Sequence, residues 1–405
     1  MLVLGLNYAP ETTGIAPYTA RMAEGLTALA DVTVLTTPPH YPQWRVDPDH
    51  RGWTTRSRSA GVDVTRLRHY VPHNPRGVTR ILSELSFTGR VLPRLHHLPR
   101  PDAVVVVSPG LVPAAAGVRW AVRRGIPVGV VVQDIYSFAV DTVSDVGRGA
   151  GWLKGRVRRT EAAMIASATG VLTIHDRMAE ALSQLGPVPR ERITVVRNWT
   201  HVDPPRDPAA LRAALGWPED RRVLLHAGNM GAKQNLDVLV EVARLAEQCD
   251  QPLDVVLMGD GVERRRLEQA AAGLERISFL DGVPEADFTS VLAAADVLCV
   301  SERPGLQEMC APSKLTSYLV SGRPVVAATA PDSAAADDLR ASGAGVVVTP
   351  DDPMALLEAA LRLAGPETDL GTRGPAYAAA HLGEQQALDG YRSWVESLLS
   401  GDGNR

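Results

Sequence analysis

Short apolar runs rich in β-branched residues alternate with longer polar-apolar segments along the whole chain. In the first half the runs cover residues 2–6, 32–36, 104–107, 128–132, 171–174 and 193–196. Runs of this length and composition suit strands buried on both faces of a parallel sheet. The turn-rich stretch Tyr8-Ala-Pro-Glu-Thr-Thr-Gly-Ile-Ala-Pro17 leads from the first run into a predicted helix ending at Leu29. Strand, helix and strand in succession predict an α/β sheet with helices on both faces. From His201 to Trp217 the chain is proline-rich and irregular, then helical, which marks a domain boundary. The same pattern then restarts, with predicted strands over 223–226, 255–258, 277–280, 297–301 and 345–348 and helices over about 236–247 and up to Ala295. Toward the end, Ala387, Leu388, Tyr391, Trp394, Val395 and Leu398 fall at helical spacing, so a terminal amphipathic helix is expected over about 384–400.

A chain of 405 residues exceeds one ordinary core and agrees with two domains, over 1–200 and 201–383. Charge divides with them: residues 1–200 hold 24 Lys/Arg against 15 Asp/Glu, and residues 201–405 hold 18 against 31. Such an asymmetry points to different partners for the two halves, and the positive half suits an anionic membrane or a phosphate-bearing acceptor. A generally arginine-rich surface would give the same count. Cys249, Cys299 and Cys310 match no zinc spacing, and the first residues are too short for a leader, so a cytoplasmic protein is expected, with room for contact at the inner face of a membrane.

The stretch from Ala311 to Pro324 carries the sharpest chemistry. Pro312 and Ser313 suit a helix start, Leu315, Tyr318 and Leu319 follow at helical spacing, and Gly322 and Pro324 form a stop. A helix N-terminus offers uncovered amides and a partial positive charge, and Lys314 adds a full one, which makes an anion site. A capped surface helix with a solvated lysine is the plain alternative. Lysine usage weighs against it: among 42 basic residues only Lys154, Lys233 and Lys314 are lysines. Lys233 follows the tight loop at Gly228 and Gly231, whose amides are expected to be bare and to face a pyrophosphate with Lys233 and Lys314. Gly259-Asp-Gly261 is expected to pass its backbone against a nucleotide base. In the first half, Gly14 sits where a phosphate or sugar would approach the backbone closely, and the loop Pro38-Pro-His-Tyr-Pro-Gln-Trp-Arg45 offers His40 and Tyr41 for sugar recognition. Gln133-Asp134 closes the strand over 128–132 and is expected at the same sheet mouth. Residues 76–100 interleave arginines with apolar residues, read either as a helix packed on its own domain or as one resting on a membrane.

Together, Tyr8-Ala-Pro-Glu with Gly14, Pro39-His-Tyr-Pro42, Val132-Gln-Asp134, Asn198-Trp199, Gly228-Asn-Met-Gly-Ala-Lys-Gln234, Gly259-Asp-Gly261, Pro312-Ser-Lys-Leu315 and Ser321-Gly-Arg-Pro324 resemble the retaining glycosyltransferases of family 4, over nearly the whole chain. The resemblance is strongest to the bacterial colanic-acid and O-antigen exopolysaccharide enzymes. It implies the GT-B fold, two facing Rossmann-like domains whose terminal helix crosses back to the first. It also implies an NDP-sugar donor held by the second domain and an acceptor held by the first. Lys233 then takes the pyrophosphate lysine's place, Asn229 stands where the family has an arginine, and Lys314 with the amides of Leu315 and Thr316 compensates. The family's two glutamates fall on Met309 and Ser317, which leaves Glu308 as an off-by-one candidate for the sugar-facing group. The catalytic-region histidine falls on Gln133, followed by Asp134.

The expected chemistry is metal-independent, cofactor-free hexosyl transfer with retention, to a hydroxyl of a glycan, a lipid-linked acceptor or a small molecule. No nucleic-acid partner is expected. A nucleotide-sugar epimerase of the same architecture would need paired carboxylates that are not identified, and a catalytically lapsed sugar-nucleotide-binding protein would not need the phosphate lysines.

Overall fold

The computed structural model describes residues 1–12, 14–73, 77–137, 150–305, 313–365 and 369–401. The chain divides into two compact units, one built from Met1–Arg197 and the chain end from Gln385, the other from the described residues between Asn198 and Glu384.

The first unit holds an eight-stranded sheet: β1 (Leu2–Leu4), β2 (Thr33–Thr36), β3 (Thr54–Ser59), β4 (Val62–Leu67), β5 (Val104–Ser108), β6 (Val128–Val132), β7 (Gly170–Thr173) and β8 (Ile193–Val195), in the order β3-β4-β2-β1-β5-β6-β7-β8. All pairings are parallel except β3 with β4. That hairpin is absent from the sequence reading for a physical reason. β3 is a polar edge strand, almost wholly exposed, with no apolar face to betray it. Its turn is made by Ala60 and Gly61, at φ +48° and +82°.

Three helices, Val78–His97, Leu111–Arg123 and Ala150–Ser167, pack side by side as one layer. Gly117 of the middle helix lies against Leu4 and Val106. The next residue of β5, Val107, points to the opposite face, toward Gly5 and Thr19. On that face the terminal helix Glu384–Ser400 packs, with Leu388 against Gly25 and Trp394 and Leu398 over Gly129 and Gly170. An added Cβ at Gly129 would lie 2.7 Å from Leu398 Cδ1, so the glycine is what admits this helix to the sheet.

The second unit holds β9 (Arg222–Ala227), β10 (Leu253–Met258), β11 (Ile277–Leu280), β12 (Val297–Ser301), β13 (Val325–Ala328) and β14 (Gly345–Val348), all parallel, in the order β11-β10-β9-β12-β13-β14. This is the doubly wound order, and it reverses between β9 and β12. Two apolar clusters cover the faces, one including Leu239, Val242, Leu257 and Leu357, the other Leu225, Leu298, Leu315, Tyr318 and Leu339. Among the described residues no helix is long and apolar enough to cross a membrane.

Candidate active site

At the reversal point of the second sheet, loops leaving β9 and β12 diverge and open a crevice at the strands' carboxyl ends. Helix Ser313–Val320 enters there. Tyr318 fixes it: its fully buried hydroxyl accepts from Ala227 N–H at 2.7 Å and donates to Ala227 O at 3.1 Å, at the last residue of β9. Leu315 and Leu319 bury alongside. Removing the hydroxyl with Tyr318→Phe strands a buried amide, and is expected to cost about 1–3 kcal/mol of unit stability by denaturant titration.

Lys314, one turn before Tyr318, runs beside Gly228, where an added Cβ would stand 2.7 Å from its Cε. With φ at +130°, Gly228 is required twice over, for its backbone conformation and for the space. Lys314 Nζ lies 3.0 Å from His226 Nε2, and His226 Nδ1 lies 3.1 Å from Cys299 O. The network assigns the tautomer: Nδ1–H donates to the carbonyl and Nε2 accepts from the ammonium. Burial, then the Lys314 charge, pushes His226 well below its ordinary pKa, so it remains neutral and orients the lysine. Glu302, just after β12, accepts from Thr329 Oγ1 and is held above the usual carboxylate range by burial, with the Thr329 bond and the Lys314 charge opposing that rise. Neither His226 nor Glu302 was evident from sequence. His226 sits inside an apolar strand, and only the fold brings residues 226 and 314 together.

Lys233 belongs to the turn Ala232–Gln234 of the same β9 loop and is exposed; its carbonyl accepts from Arg303 N–H at 2.9 Å. One expectation for this loop needs correction. The amides of Gly228 and Gly231 are not bare: Gly228 donates to Met258 O at 2.8 Å and Gly231 to Gln234 Oε1 at 3.0 Å. In the loop after β10, the space on the Cβ side of Gly259 and Gly261 is taken by the protein itself. An added Cβ at either would collide with the carbonyl of Gly228 or Met230, so these glycines let two loops of the protein pack together. Met230 N–H donates to Asp260 O at 2.8 Å across the same contact. Asn229 lines the turn, with its Nδ2 2.8 Å from where a Cβ on Gly231 would stand. Thr316 and Ser317 are buried within the helix. Glu308, Met309, Cys310 and Pro312 lie outside the described residues, as does the side chain of Ser313.

In the first unit, buried carboxylates hold the loops at the sheet's carboxyl edge. Glu11 Oε1 accepts from the amides of His40 and Tyr41 at 2.7 and 2.9 Å. Glu161, fully buried, accepts from those of Tyr136 and Ser137 at 2.7 and 2.9 Å, just beyond Gln133-Asp134. Glu84 Oε2 accepts from Val112 N–H at 3.0 Å. Burial raises the pKa of Glu84 and of Glu161. The structure separates the paired candidates of this unit. Tyr41 is partly exposed, its ring 3.3 Å from where a Cβ on Gly14 would stand. His40 is buried, with Nδ1 at 3.2 Å from Thr37 Oγ1 and 3.0 Å from Pro38 O, and it packs edge-on to His69. Asp134 is half-buried, whereas Gln133 is buried and its side chain hydrogen-bonds Tyr391 of the terminal helix. That bond corrects the expectation that Gln133 opens into the sheet mouth: a buried amide needs a partner, and Tyr391 supplies it.

Two doubly wound parallel units and a returning terminal helix, with a lysine-bearing helix N-terminus at the second sheet's reversal point, define a glycosyltransferase of the GT-B fold. Residues 13–199 match the family model described as glycosyl transferase 4-like domain, and residues 221–365 match glycosyl transferases group 1. The Escherichia coli K12 protein WcaI, named as a colanic acid biosynthesis glycosyl transferase, is 31% identical over 346 residues, which is 82% of this chain and 83% of WcaI. The chain belongs to this glycosyltransferase family. Among solved structures, sucrose-phosphate synthase from Thermosynechococcus elongatus aligns with a TM-score of 0.75 at 17% identity, covering 98% of each chain. Anabaena HepE in complex with UDP-glucose aligns with a TM-score of 0.68 at 16% identity, over 98% of this chain and 100% of HepE.

Proposed function

We propose that the protein transfers a hexosyl group from an NDP-sugar to an acceptor hydroxyl, with retention at the anomeric carbon and without a metal ion. The observation that carries this reading is Lys314, held by neutral His226 and Gly228 at a helix N-terminus. A fixed ammonium and oriented amides stabilise negative charge that grows on a departing diphosphate. The bond from the anomeric carbon to the diphosphate oxygen breaks, and a bond to the acceptor oxygen forms on the same face. The acceptor proton passes to the diphosphate oxygen. The second unit takes the donor, through Lys314, Lys233, Asn229 and the amides of Leu315 and Thr316. The UDP-glucose complex of HepE supports a uridine nucleotide as the first donor to try. The first unit takes the acceptor, with Tyr41 and Asp134 as its partly exposed contacts. The relation to WcaI supports a glycan or lipid-linked glycan acceptor.

Incubation with a panel of NDP-sugars and no acceptor tests the reading. Slow release of NDP and free sugar of unchanged anomeric configuration is expected, and it should persist in EDTA. Isomerised sugar, or turnover abolished by EDTA and restored by magnesium or manganese, sinks it.

A further inference from the structure

The loops that follow β12 and β13 hold a carboxylate with only one of its oxygens engaged. Glu302, the first residue after β12, is half-buried. Its backbone is pinned on both sides. Its own N–H donates to Ala328 O at 3.0 Å, and the N–H of Arg303 donates to Lys233 O at 2.9 Å. The side chain is anchored as well. Thr329 Oγ1, just beyond β13, donates to Glu302 Oε2 and lies 3.0 Å from Ser333 Oγ. Ser333 in turn accepts from Ala336 N–H at 3.1 Å, as the cap of helix Ala334–Ser342. A hydroxyl has one proton, so Thr329 gives its own to the carboxylate and takes that of Ser333. Both hydroxyl residues are buried, at 1% and 2% exposure, so this chain of bonds fixes Oε2 firmly.

Oε1 has no such anchor. Among the described residues Thr329 is the only side chain bonded to this carboxylate, and no ion pair joins it to Lys314. The Lys314 charge nonetheless acts on it from nearby. An acceptor held rigidly and left without a donor in a partly buried site is placed to receive one from a ligand. The neighbouring ammonium restricts what that ligand group can be. If Lys314 faces a diphosphate, a phosphate oxygen against Glu302 would set like charges together. A neutral hydroxyl donates without that penalty, and a hexosyl ring carries several. Strand order says which end of the donor lies there. In the order β10-β9-β12-β13, Lys314 stands over β9 through His226 and Gly228, and Glu302 lies on the β12–β13 side. With the base expected near Gly259-Asp-Gly261 on the β10 side, the end of the diphosphate toward Glu302 carries the sugar.

We infer that Glu302 is a specificity-determining contact of the donor site, accepting through Oε1 a hydrogen bond from a ring hydroxyl of the sugar to be transferred. The inference rests on the donor chemistry proposed above. It adds a residue that selects the sugar rather than one that stabilises the leaving group.

Glu302→Gln in the full chain tests it, measured with the NDP-sugar that wild type hydrolyses fastest, UDP-glucose being the first to try. Affinity for the NDP-sugar should fall at least about tenfold, because a charged acceptor is lost, while affinity for the NDP alone stays within about twofold. Donor analogues that each lack one ring hydroxyl locate the contact. Wild type should lose about tenfold on one of them, and Glu302→Gln should bind that analogue as well as it binds the parent sugar. A role confined to joining the β12 and β13 loops would leave the two proteins with the same pattern across the analogues. Thr329→Val removes the anchor and keeps the carboxylate. It should show the same pattern at smaller amplitude, which keeps the test readable if Glu302→Gln disturbs folding. Equal losses for NDP and NDP-sugar, or one analogue pattern shared by wild type and both variants, would overturn the inference and leave the transferase reading intact. A wild-type protein that binds no NDP-sugar would overturn that reading and this inference with it.

Discussion

Lys314→Ala is expected to lower kcat by about a hundredfold, and Lys233→Ala by only about tenfold. The ranking follows from environment. Lys314 is half-buried, and its ammonium is fixed by His226 at 3.0 Å, so little reorganisation is needed as charge develops on the leaving group. Lys233 is exposed on a turn, where water and salt weaken its field. Lys314→Arg should not rescue, because the site between Gly228 and His226 admits a narrow alkyl stem and a compact head rather than a planar fork. His226→Phe removes the acceptor while keeping a ring, so the lysine loses its orientation. The loss should then appear mainly in kcat, with a smaller change in KM for the donor. Steady-state kinetics on one NDP-sugar settle the order. Near-native rates in Lys314→Ala would remove this lysine from the mechanism.

The contact between Lys314 and His226 marks the limit of what the sequence discloses. The scarcity of lysine and the helix punctuation at 311–324 identify Lys314 as a candidate on one strand of text. Its partner lies 88 positions away inside a buried strand, where a histidine looks like any core residue. The runs of β6 and β12 were legible because a parallel strand buried on both faces has few polar positions to blur it, and these two, with the half-buried β11 and β14, lie where periodicity places them. The hairpin β3–β4 was not legible, since its edge strand is polar on both faces. Glycines gave a mixed return. Their positions mark the loops correctly, but a glycine required by close approach does not say what approaches. At Gly259 and Gly261 the neighbouring loop approaches on the side where a Cβ would stand. Glu11 and Glu161 act through backbone amides on distant segments, a role with no sequence signature.

Truncation after Glu384 is expected to destabilise the first unit selectively, and Trp394→Ala alone should cost it about 3–5 kcal/mol. Trp394 and Leu398 are 4% and 1% exposed, and they fill the concavity left by Gly129 of β6 and Gly170 of β7. Deleting the indole leaves a void that glycines cannot fill, and the two strands lose their cover on that face. Arg392 Nε also donates to Gly25 O at 3.0 Å, and Tyr391 bonds Gln133. Truncation therefore frees a buried amide one residue before Asp134. Transfer to an acceptor should consequently fall more than donor hydrolysis, while nucleotide affinity in the second unit stays within about twofold because its contacts are remote from the change. Tyr391→Phe isolates the polar part and should reproduce a fraction of the transfer defect at a stability cost of about 1 kcal/mol. Hydrogen exchange decides between this account and a helix that merely caps the chain. The amides of residues 128–132 and 170–173 should lose protection in Trp394→Ala and in the truncated protein, whereas those of 222–227 should not. Unchanged protection over both of the first two segments would show that the terminal helix does not hold the sheet together.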